Sequence, residues 1–323
     1  MIKIDKIDIK ILKELLYDSS QQLSTIGKKV RLSRENVHYR IENLIKKQVI
    51  KSFITIVDYP LLGYSQYTLF LELDKINEIK EKFILDYLSQ NNKISWIGIL
   101  AGKWSLTFDI YVKDISELND FVEKLSEKFN ENIREYKILH LIKSDYYFNK
   151  LIDEKVIEYN KRIMKKIKID HVDKEILNML NISSRTSYVD ISIKANLTPN
   201  AIKQRIKNLE RGGIIKKYSI SINHKAFDYD WHGLQIKLLM PLLKIENDLI
   251  NYLKNDKRVI FYYNYDKLSN YDFDVGIIMK NSSELRLFIN KLRSSFYDKI
   301  KIIDTFVVLE EISSHNLPEI IFE

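Results

Sequence analysis

Hydrophobic residues recur at two different spacings along this chain, and the change of spacing predicts where helices give way to strands. Near the N-terminus, Ile7, Ile11, Leu12 and Leu15 follow the three-and-four spacing of an amphipathic helix. Apolar and polar residues then alternate over residues 50–58, IKSFITIVD, as they do in a half-buried strand. The pattern therefore predicts a helical segment that is followed by a strand.

The residues between the first helix and this strand predict two further helices joined by a tight turn. We expect the second helix at about Leu23 to Val30 and the third at about Arg34 to Gln48. Ser33 is a good N-cap for the third helix, because its hydroxyl can accept a hydrogen bond from the first turn. Three helices with a tight turn between the last two, followed by a strand, are typical of a winged helix-turn-helix.

The pattern changes after residue 62 and predicts a second kind of domain. The predicted strands are QYTLFLEL, ISWIGIL, LTFDIYV and EYKILHLIK, and the predicted helices cover residues 76–90 and 116–132. The order strand, helix, strand, strand, helix, strand is the ferredoxin-like arrangement.

The whole pattern occurs twice, at an offset of 165 residues. Residues 4–64 align with residues 169–229 without a gap, and 17 of these 61 positions are identical. Further along, FDIYV at 108–112 falls on FDVGI at 273–277, and Trp96 falls on Phe261. In the second copy Thr198 takes the N-cap position, and Pro199 takes the first helical position, where its missing N–H costs nothing.

The predicted fold class is therefore α+β, with two tandem units. Each unit has an N-terminal winged helix-turn-helix and a C-terminal ferredoxin-like domain. The predicted boundaries are 1–62 and 63–148 for the first unit, 149–168 for a basic linker or helix, and 169–228 and 229–323 for the second unit.

Composition narrows the class of protein. The 323 residues include no cysteine, so disulfides are excluded, and the 6 scattered histidines do not favour a structural zinc site. No apolar run reaches 18 residues, and the N-terminus lacks a signal-peptide core, so a cytoplasmic protein without a membrane span or a cofactor is expected. The net charge is +8, with cations clustered at 161–168 and 203–217. The clusters favour a nucleic-acid partner, although a general lysine bias is the alternative.

Two segments of the chain, one in each copy, resemble the sequences of a known family. IDKIDIKILKELL, continued by LSTIGKKVRLSRENVHYRIENLIKKQVIKSFITIVDYPLLGY, resembles the N-terminal domain of the Lrp/AsnC family of prokaryotic and archaeal transcription regulators. IDHVDKEILNML, continued by VDISIKANLTPNAIKQRIKNLERGGIIKKYSISIN, is similar again. The ferredoxin-like halves resemble the effector-binding and oligomerisation domain of that family.

The resemblance implies a set of partners. They are double-stranded DNA, a small-molecule effector such as an amino acid, and an intramolecular pseudo-dimer of the two copies, with higher homo-oligomers left open. Because the two copies of a fused pair can mutate independently, their DNA-binding faces can become different. We therefore expect a DNA operator with two unlike half-sites, spaced by about one turn of the DNA helix or a multiple of it.

The third helix of each copy holds the candidate DNA-binding residues. They are Ser33, Arg34, Glu35, Asn36, His38, Tyr39 and Arg40 in the first copy, and Thr198, Asn200, Lys203, Gln204, Arg205, Lys207 and Arg211 in the second. Asn and Gln can pair with adenine, and Lys or Arg can reach guanine or phosphate. Carboxylates such as Glu35 and Glu42 weaken binding near phosphates.

The second copy is therefore predicted to be the stronger DNA reader. For Arg40 and Arg205, which occupy the same position of the repeat, a phosphate contact and a salt bridge within the helix are both open. The alternative for both outward faces is a solvated helix surface in a repurposed fold.

The family places its effector near the turn between the two middle strands of the sheet. Here that turn is GILAGKWSL, with Gly98, Gly102, Lys103 and Trp104 as candidate effector-binding residues. Gly102 resembles the turn glycine of the family, and Trp104 stands where an aromatic residue is common, but Lys103 replaces the usual acid. A plain structural turn is the alternative.

Two alternatives to a regulator remain. Siroheme decarboxylases resemble paired Lrp-type units, and Asn223, His224 and Lys225 are distantly similar to one of their segments. A protein-binding scaffold without DNA binding is the other alternative. Because the chain has no glycine-rich phosphate loop, metal-ligand spacing or nucleophile motif, the sequence predicts a protein that is not an enzyme.

Overall fold

The computed structural model describes residues 4–152, 168–312 and 317–323. Most of the predicted linker at 149–168, including the basic residues 161–167, lies outside these ranges. The described residues divide into two compact units, and each unit takes segments from both copies. The first contains residues 4–64, 168–226 and 317–323, and the second contains residues 65–152 and 227–312.

Both copies form the predicted series of helices and strands. The first copy has α1 (Lys6–Tyr17), α2 (Leu23–Val30), α3 (Arg34–Lys46), β1 (Ile50–Val57), β2 (Ser65–Leu73), α4 (Glu78–Ser89), β3 (Ile94–Ala101), β4 (Leu106–Val112), α5 (Ile115–Phe129) and β5 (Ile133–Tyr146). The second copy has α6 (His171–Ile182), α7 (Tyr188–Lys194), α8 (Pro199–Arg211), β6 (Ile215–Ile222), β7 (Asp230–Leu238), α9 (Leu243–Asn255), β8 (Val259–Tyr265), β9 (Phe273–Met279), α10 (Ser282–Ser295) and β10 (Ile300–Glu311). The tandem α+β fold class is confirmed. No helix within the described ranges is long and apolar enough to cross a membrane.

Side-chain caps fix the ends of the helices in the first unit. The Ser33 hydroxyl accepts from the Asn36 N–H at 3.2 Å, and the Thr198 hydroxyl accepts from the Ala201 N–H at 3.2 Å, so both predicted N-caps are confirmed. At the other end, α3 stops at Lys46 rather than at the predicted Gln48, because Gln48 takes a left-handed backbone conformation with φ 55°.

The strands that follow α3 and α8, which are the third helices of the two copies, pair with each other. β1 and β6 form a two-stranded antiparallel sheet in which Ile54 faces Ser219, which is the same position of the repeat. The hydroxyls of Ser19 and Ser184, also equivalent positions, lie 2.6 Å apart in a buried contact. Pairs of equivalent residues meet in this way only near a two-fold axis, so an approximate two-fold axis relates the two winged helices.

Each of these strands also bonds to a helix of the other copy. The Thr55 hydroxyl donates to the Leu180 carbonyl at 2.6 Å, near the end of α6, and the Ser219 hydroxyl donates to the Leu16 carbonyl at 3.0 Å, near the end of α1. These bonds satisfy carbonyls that a helix end leaves unpaired. The two winged helices are therefore held together by hydrogen bonds from both the main chain and the side chains.

The C-terminal residues 317–323 belong to this first unit. The Asn181 side chain donates to the Leu317 carbonyl at 2.8 Å and accepts from the Leu317 N–H at 2.9 Å. The hydroxyl of Tyr64 donates to the carbonyl of Ile320. The predicted boundary 229–323 assigned this tail to the second ferredoxin-like domain, whereas the structure packs it on the winged helices.

In the second unit, the eight strands β2 to β5 and β7 to β10 close into one antiparallel barrel. Within each copy the strands follow the ferredoxin-like order, β3-β4-β2-β5 and β8-β9-β7-β10. The barrel closes where β5 pairs with β8 and where β10 pairs with β3, so both joints are formed between copies. Helices α4 and α5 cover the outer face of the first half, and α9 and α10 cover that of the second.

Large side chains fill the interior of the barrel. This cluster contains Phe70, Leu100, Trp104, Leu139, Leu141, Trp231, Ile260, Tyr265, Tyr271, Ile278, Phe306 and Val308. Two glycines make room for rings from neighbouring strands. A Cβ atom at Gly233 would lie 1.9 Å from the Phe306 ring, and one at Gly276 would lie 2.0 Å from the Phe261 ring. The barrel interior is a packed core rather than an open channel.

The strand register corrects one predicted equivalence. Trp96 lies across from Asp109 on β4, whereas Tyr263 lies across from Asp274 on β9. Since Asp109 and Asp274 are equivalent positions, Tyr263 rather than Phe261 occupies the place of Trp96. The gapless alignment was wrong here. The register in which β8 pairs with β9 differs by two residues from the register in which β3 pairs with β4.

The two equivalent aspartates lie in different environments. Asp109 accepts from the Thr68 hydroxyl at 2.7 Å and lies 3.5 Å from the Tyr263 hydroxyl. Asp274 is also buried, but its Oδ1 has no hydrogen-bond partner among the described residues. Burial and the nearby charge of Asp109 raise the pKa of Asp274 to about 8.

This buried carboxyl predicts a dependence of stability on pH. The folded state holds the Asp274 proton up to about pH 8, whereas the unfolded chain loses it near 3.8. The free energy of unfolding should therefore fall as pH rises from about 4 to about 8. Asp274→Asn should remove this loss of stability. In thermal denaturation, the melting temperature of the variant should exceed that of the wild type by several degrees at pH 8 and by little at pH 4. Asp248→Asn, an exposed site on α9, is the matched control. An equal gain at both pH values would contradict the assignment.

Candidate nucleic-acid interface

The outward face of α8 combines amides and cations. Ile202, Ile206 and Leu209 are buried, as predicted, which turns the candidate residues of this helix outward. Two stripes at a spacing of four residues lie side by side on the exposed face: Asn200, Gln204 and Asn208 form an amide stripe, and Lys203, Lys207 and Arg211 form a cation stripe.

Two internal contacts shape this face. The Gln204 amide donates to the Asn208 Oδ1 at 3.2 Å, which aligns the amide stripe along the helix. Glu210 is half-buried and accepts from the Tyr218 hydroxyl at 2.9 Å. Because the one acid of this helix is engaged on its inner side, the exposed face presents positive charge and amide groups.

The matching face of α3 has different chemistry. The residues at the amide-stripe positions are Glu35, Tyr39 and Asn43, and those at the cation-stripe positions are His38, Glu42 and Lys46. The Tyr39 side chain is 67% exposed. The backbone N–H of Glu35 and the Ser33 hydroxyl lower the pKa of the Glu35 carboxyl, so this group stays charged at neutral pH. Arg34 and Asn36 are also exposed, and mixed charge replaces the cations of α8.

Arg40 and Arg205 form salt bridges between helices. Arg40 Nη1 lies 2.7 Å from an oxygen of Asp5 and 2.7 Å from one of Asp8, and both acids belong to the capping box of α1. Arg205 repeats this contact with Asp170 at 2.9 Å and Asp173 at 2.8 Å on α6.

Of the two open alternatives, the salt bridge within one helix was therefore wrong, since the partners lie on another helix. The signal that could have revealed them is that all three positions of the contact are identical in the two copies, as Asp5/Asp170, Asp8/Asp173 and Arg40/Arg205.

Part of the cationic segment 203–217 lies away from the α8 face. Lys216 pairs with Asp58 at 2.7 Å, in the contact between the two wing strands. Burial lowers the pKa of the neighbouring Lys217 to about 8. The two lysines at the end of this sequence cluster thus serve the contact between the copies, and sequence position by itself did not separate them from the exposed cations of α8.

The candidate effector residues make separate local contacts. Gly98 is buried on β3, where a Cβ atom would lie 2.7 Å from the Trp96 ring. Gly102, with φ 139°, forms the β3–β4 turn, and the exposed Lys103 pairs with Glu135 at 2.8 Å. Trp104 is 2% exposed, and its Nε1 donates to Gln235 at 3.2 Å. The tryptophan is part of the barrel core.

His224 is buried in the short 3-10 helix His224–Phe227 after β6, where the Asn223 side chain accepts from the Lys225 N–H at 3.1 Å. Over the described ranges, no three or more His, Asp or Glu side chains gather in a way that could hold a metal ion. This region shows local backbone capping by the Asn223 side chain.

Two family models match this chain. A model described as an AsnC-type helix-turn-helix domain matches residues 4–45, and one described as a winged helix-turn-helix DNA-binding domain matches residues 169–216. The matches coincide with the two winged helices of the first unit.

Curated relatives cover about one copy. An uncharacterised HTH-type transcriptional regulator of Pyrococcus abyssi is 30% identical over 143 residues, which are 44% of this chain and 92% of the relative. A second such regulator, from Pyrococcus horikoshii, is 31% identical over 144 residues, which are 45% of this chain and 93% of the relative.

A solved structure is similar over the full length of the chain. The crystal structure of the siroheme decarboxylase NirDL matches with a TM-score of 0.68 at 15% identity, and the match covers 98% of this chain and 97% of that one. At this identity the similarity shows a shared fold.

The interhelix salt bridge leads to a stability prediction. Arg205→Ala leaves Asp170 and Asp173 without their counter-charge, so the free energy of unfolding should drop by about 1 kcal/mol, a value reduced by the partial exposure of the pair. Lys207→Ala, two residues further along the exposed face, should change it by less than about 0.5 kcal/mol. Chemical denaturation measures both. Equal effects of the two substitutions would rule out a stabilising role for Arg205.

Proposed function

Since this chain belongs to the Lrp/AsnC family of transcription regulators, we propose that it recognises a specific double-stranded DNA sequence chiefly through α8. The observation that carries this proposal is the pair of stripes on α8. Amide side chains can read adenine edges in the major groove, while lysine and arginine reach phosphates or guanine. The amide stripe and the cation stripe place both kinds of contact on one exposed face.

The first winged helix is the weaker contact in this proposal. Glu35 and Glu42 lie where α8 has Asn200 and Lys207, and carboxylates near phosphates lower affinity at low salt. A carboxylate can still accept from cytosine N4, so α3 favours a different half-site. Because β1 and β6 pair, the two unlike helices are presented together, and the operator should contain two unlike half-sites.

Arg40 and Arg205 have a structural role that competes with DNA binding. Each guanidinium already holds two carboxylates, which compensate its charge. We therefore assign readout to the exposed residues of α3 and α8, and we assign these two arginines to the support of α1 and α6.

Effector binding stays a prediction at the β3–β4 turn. Trp104 is enclosed in the barrel core and Gly98 lies under the Trp96 ring, so both have packing roles. A small carboxylate ligand at this turn would meet Lys103, an exposed cation, and would compete with Glu135 for its ammonium group.

The proposal leads to different DNA-binding defects for two substitutions on one helix. Gln204→Ala should weaken binding about 5- to 100-fold for operators with the preferred base at one position and should relax the preference there. Lys207→Ala should weaken binding to all DNA sequences equally. It should also reduce the slope of log affinity against log salt concentration by about one. Fluorescence anisotropy over a salt series, with DNA from upstream of the gene, measures both.

Tyr39→Ala provides the matched control, since Tyr39 occupies the Gln204 position of the first copy. Its effect should be smaller than that of Gln204→Ala. Salt-independent binding, or equal losses for these two variants, would contradict the proposal. Absence of any DNA binding would favour the protein-interaction scaffold.

Tetrapyrrole decarboxylation is the second candidate, because the full-length fold is shared with NirDL. The packing of this chain opposes it. The rings of Phe70, Trp104, Trp231 and Phe306 lie in one buried cluster inside the barrel, which leaves less room there for a tetrapyrrole.

Titration with iron-uroporphyrin III tests the enzyme candidate directly. We expect the Soret absorbance of the ligand to stay that of the free compound, because the barrel interior is already occupied by protein side chains. A saturable shift of the Soret band at micromolar protein would favour the enzyme. An unrelated protein of similar size and charge, without a tetrapyrrole site, calibrates unspecific changes.

A further inference from the structure

A groove lies between α10 and β10 in the second ferredoxin-like domain. Its volume is about 380 Å³, which falls within the range of small-molecule sites. Three half-buried aliphatic side chains, Leu285, Ile289 and Ile303, line its inner part and pack against the core beneath them. The groove therefore presents an apolar surface that other side chains of the domain leave partly uncovered.

Exposed polar side chains line the rest of the groove. Arg286, Asn290 and Arg293 follow one another at spacings of four and three residues, so they share one face of α10. Ser282 stands one helical turn before Arg286, and Thr305 adds a hydroxyl from β10. Each of these five side chains can donate hydrogen bonds, and the two guanidinium groups also carry positive charge.

The positive charge of the groove is not compensated by the protein. Among the residues that the structure describes, no carboxylate lines the groove and neither Arg286 nor Arg293 has an ion pair. The acid of α10 is Glu284, and its Oε2 accepts from the Lys280 N–H at 3.0 Å, where the helix begins. An anion that enters the groove therefore meets two guanidinium groups without having to displace a carboxylate of the chain.

The matching helix of the first copy lacks these cations. SELNDF at 116–121 aligns with SELRLF at 283–288, and the final phenylalanine of each segment is buried against its sheet. In this alignment, the positions of Arg286, Asn290 and Arg293 hold Asn119, Glu123 and Ser126. Since α5 packs on its sheet without them, the two arginines are not needed for the fold, and the cationic groove belongs to one copy.

We propose that this groove binds a small organic anion in which a carboxylate or phosphate group is joined to an apolar body. Arginine forks pair with two oxygens of such groups at once. Seven residues separate the two arginines, which is about 10 Å along a helix, and Asn290 lies between them. Both guanidinium groups can therefore reach one anionic group above the middle of α10, while the apolar body covers Leu285, Ile289 and Ile303.

The groove is built from one domain of the second unit, whereas α3 and α8 belong to the first unit. The proposal therefore holds whether or not the chain binds DNA. It requires both parts of the ligand, because the cations select charge and the aliphatic side chains select an apolar body.

Isothermal titration calorimetry of the full-length chain with octanoate and with octyl phosphate tests the proposal. At least one of the two should bind saturably at a single site, and the comparison shows which anionic group the groove prefers. The butyl homologue of that ligand should bind more weakly, because each buried CH₂ raises affinity about fourfold. 1-Octanol has the same apolar body without the charge and should bind at least about 10-fold more weakly.

Substitutions on α10 assign the binding to the groove. Arg286→Gln and Arg293→Gln should each weaken the better ligand about 10-fold, since each loses a charge-assisted contact. Lys291→Gln is the matched control, because Lys291 is an exposed cation of the same helix that does not line the groove. Its effect should stay below about twofold, since an exposed charge away from the ligand is screened. All three side chains are exposed, so the melting temperature should not change and a loss of affinity does not reflect a loss of fold.

Three results would each overturn the proposal. The first is the absence of saturable binding for both octanoate and octyl phosphate. The second is equal affinity for 1-octanol, which would show that the guanidinium groups take no part. The third is an equal loss of affinity in Lys291→Gln and in the two arginine variants, because the ligand would then respond to the overall charge of the helix rather than to the groove.

Discussion

The antiparallel pairing of β1 with β6 is the constraint on which the two recognition helices depend. A single strand at the end of a winged helix leaves its backbone donors and acceptors unpaired on both sides, and each copy solves this with the strand of the other. Since α3 leads into β1 and α8 leads into β6 within a few residues, the register of this small sheet places both helices. The distance between the outward faces of α3 and α8 is thus set by main-chain hydrogen bonds rather than by a linker.

Fusion of the two copies changed what selection could do with this pair. In a pair of identical subunits, Glu35 and Asn200 would be the same residue, and α3 and α8 would present the same face. Within one chain, the scaffold stayed equivalent, as the Ser19–Ser184 contact and the two arginine–capping box contacts show. The outward faces of α3 and α8 diverged, as the proposal of two unlike half-sites requires.

Local patterns in the sequence predicted most of the fold. The helix caps Ser33 and Thr198, the direction of the α8 face and the ferredoxin-like strand order all follow from spacing over a few residues. Most of the errors share another origin, because they depend on a partner far away in sequence. Arg40 pairs with acids two helices earlier, Trp104 contacts Gln235 across the barrel, and the tail at 317–323 returns to Asn181. The two-residue shift of β8 also exists only in relation to its neighbouring strands.

Selection of bound sites from a random double-stranded DNA library tests the central claim most directly, because it reads both heads of the full-length chain in one experiment. The account predicts one dominant motif with two unlike half-sites, of which the one read by α8 is the better defined, and with a fixed spacing between them. A palindromic motif with two equal half-sites would contradict the account, since it would mean that α3 and α8 read the same sequence.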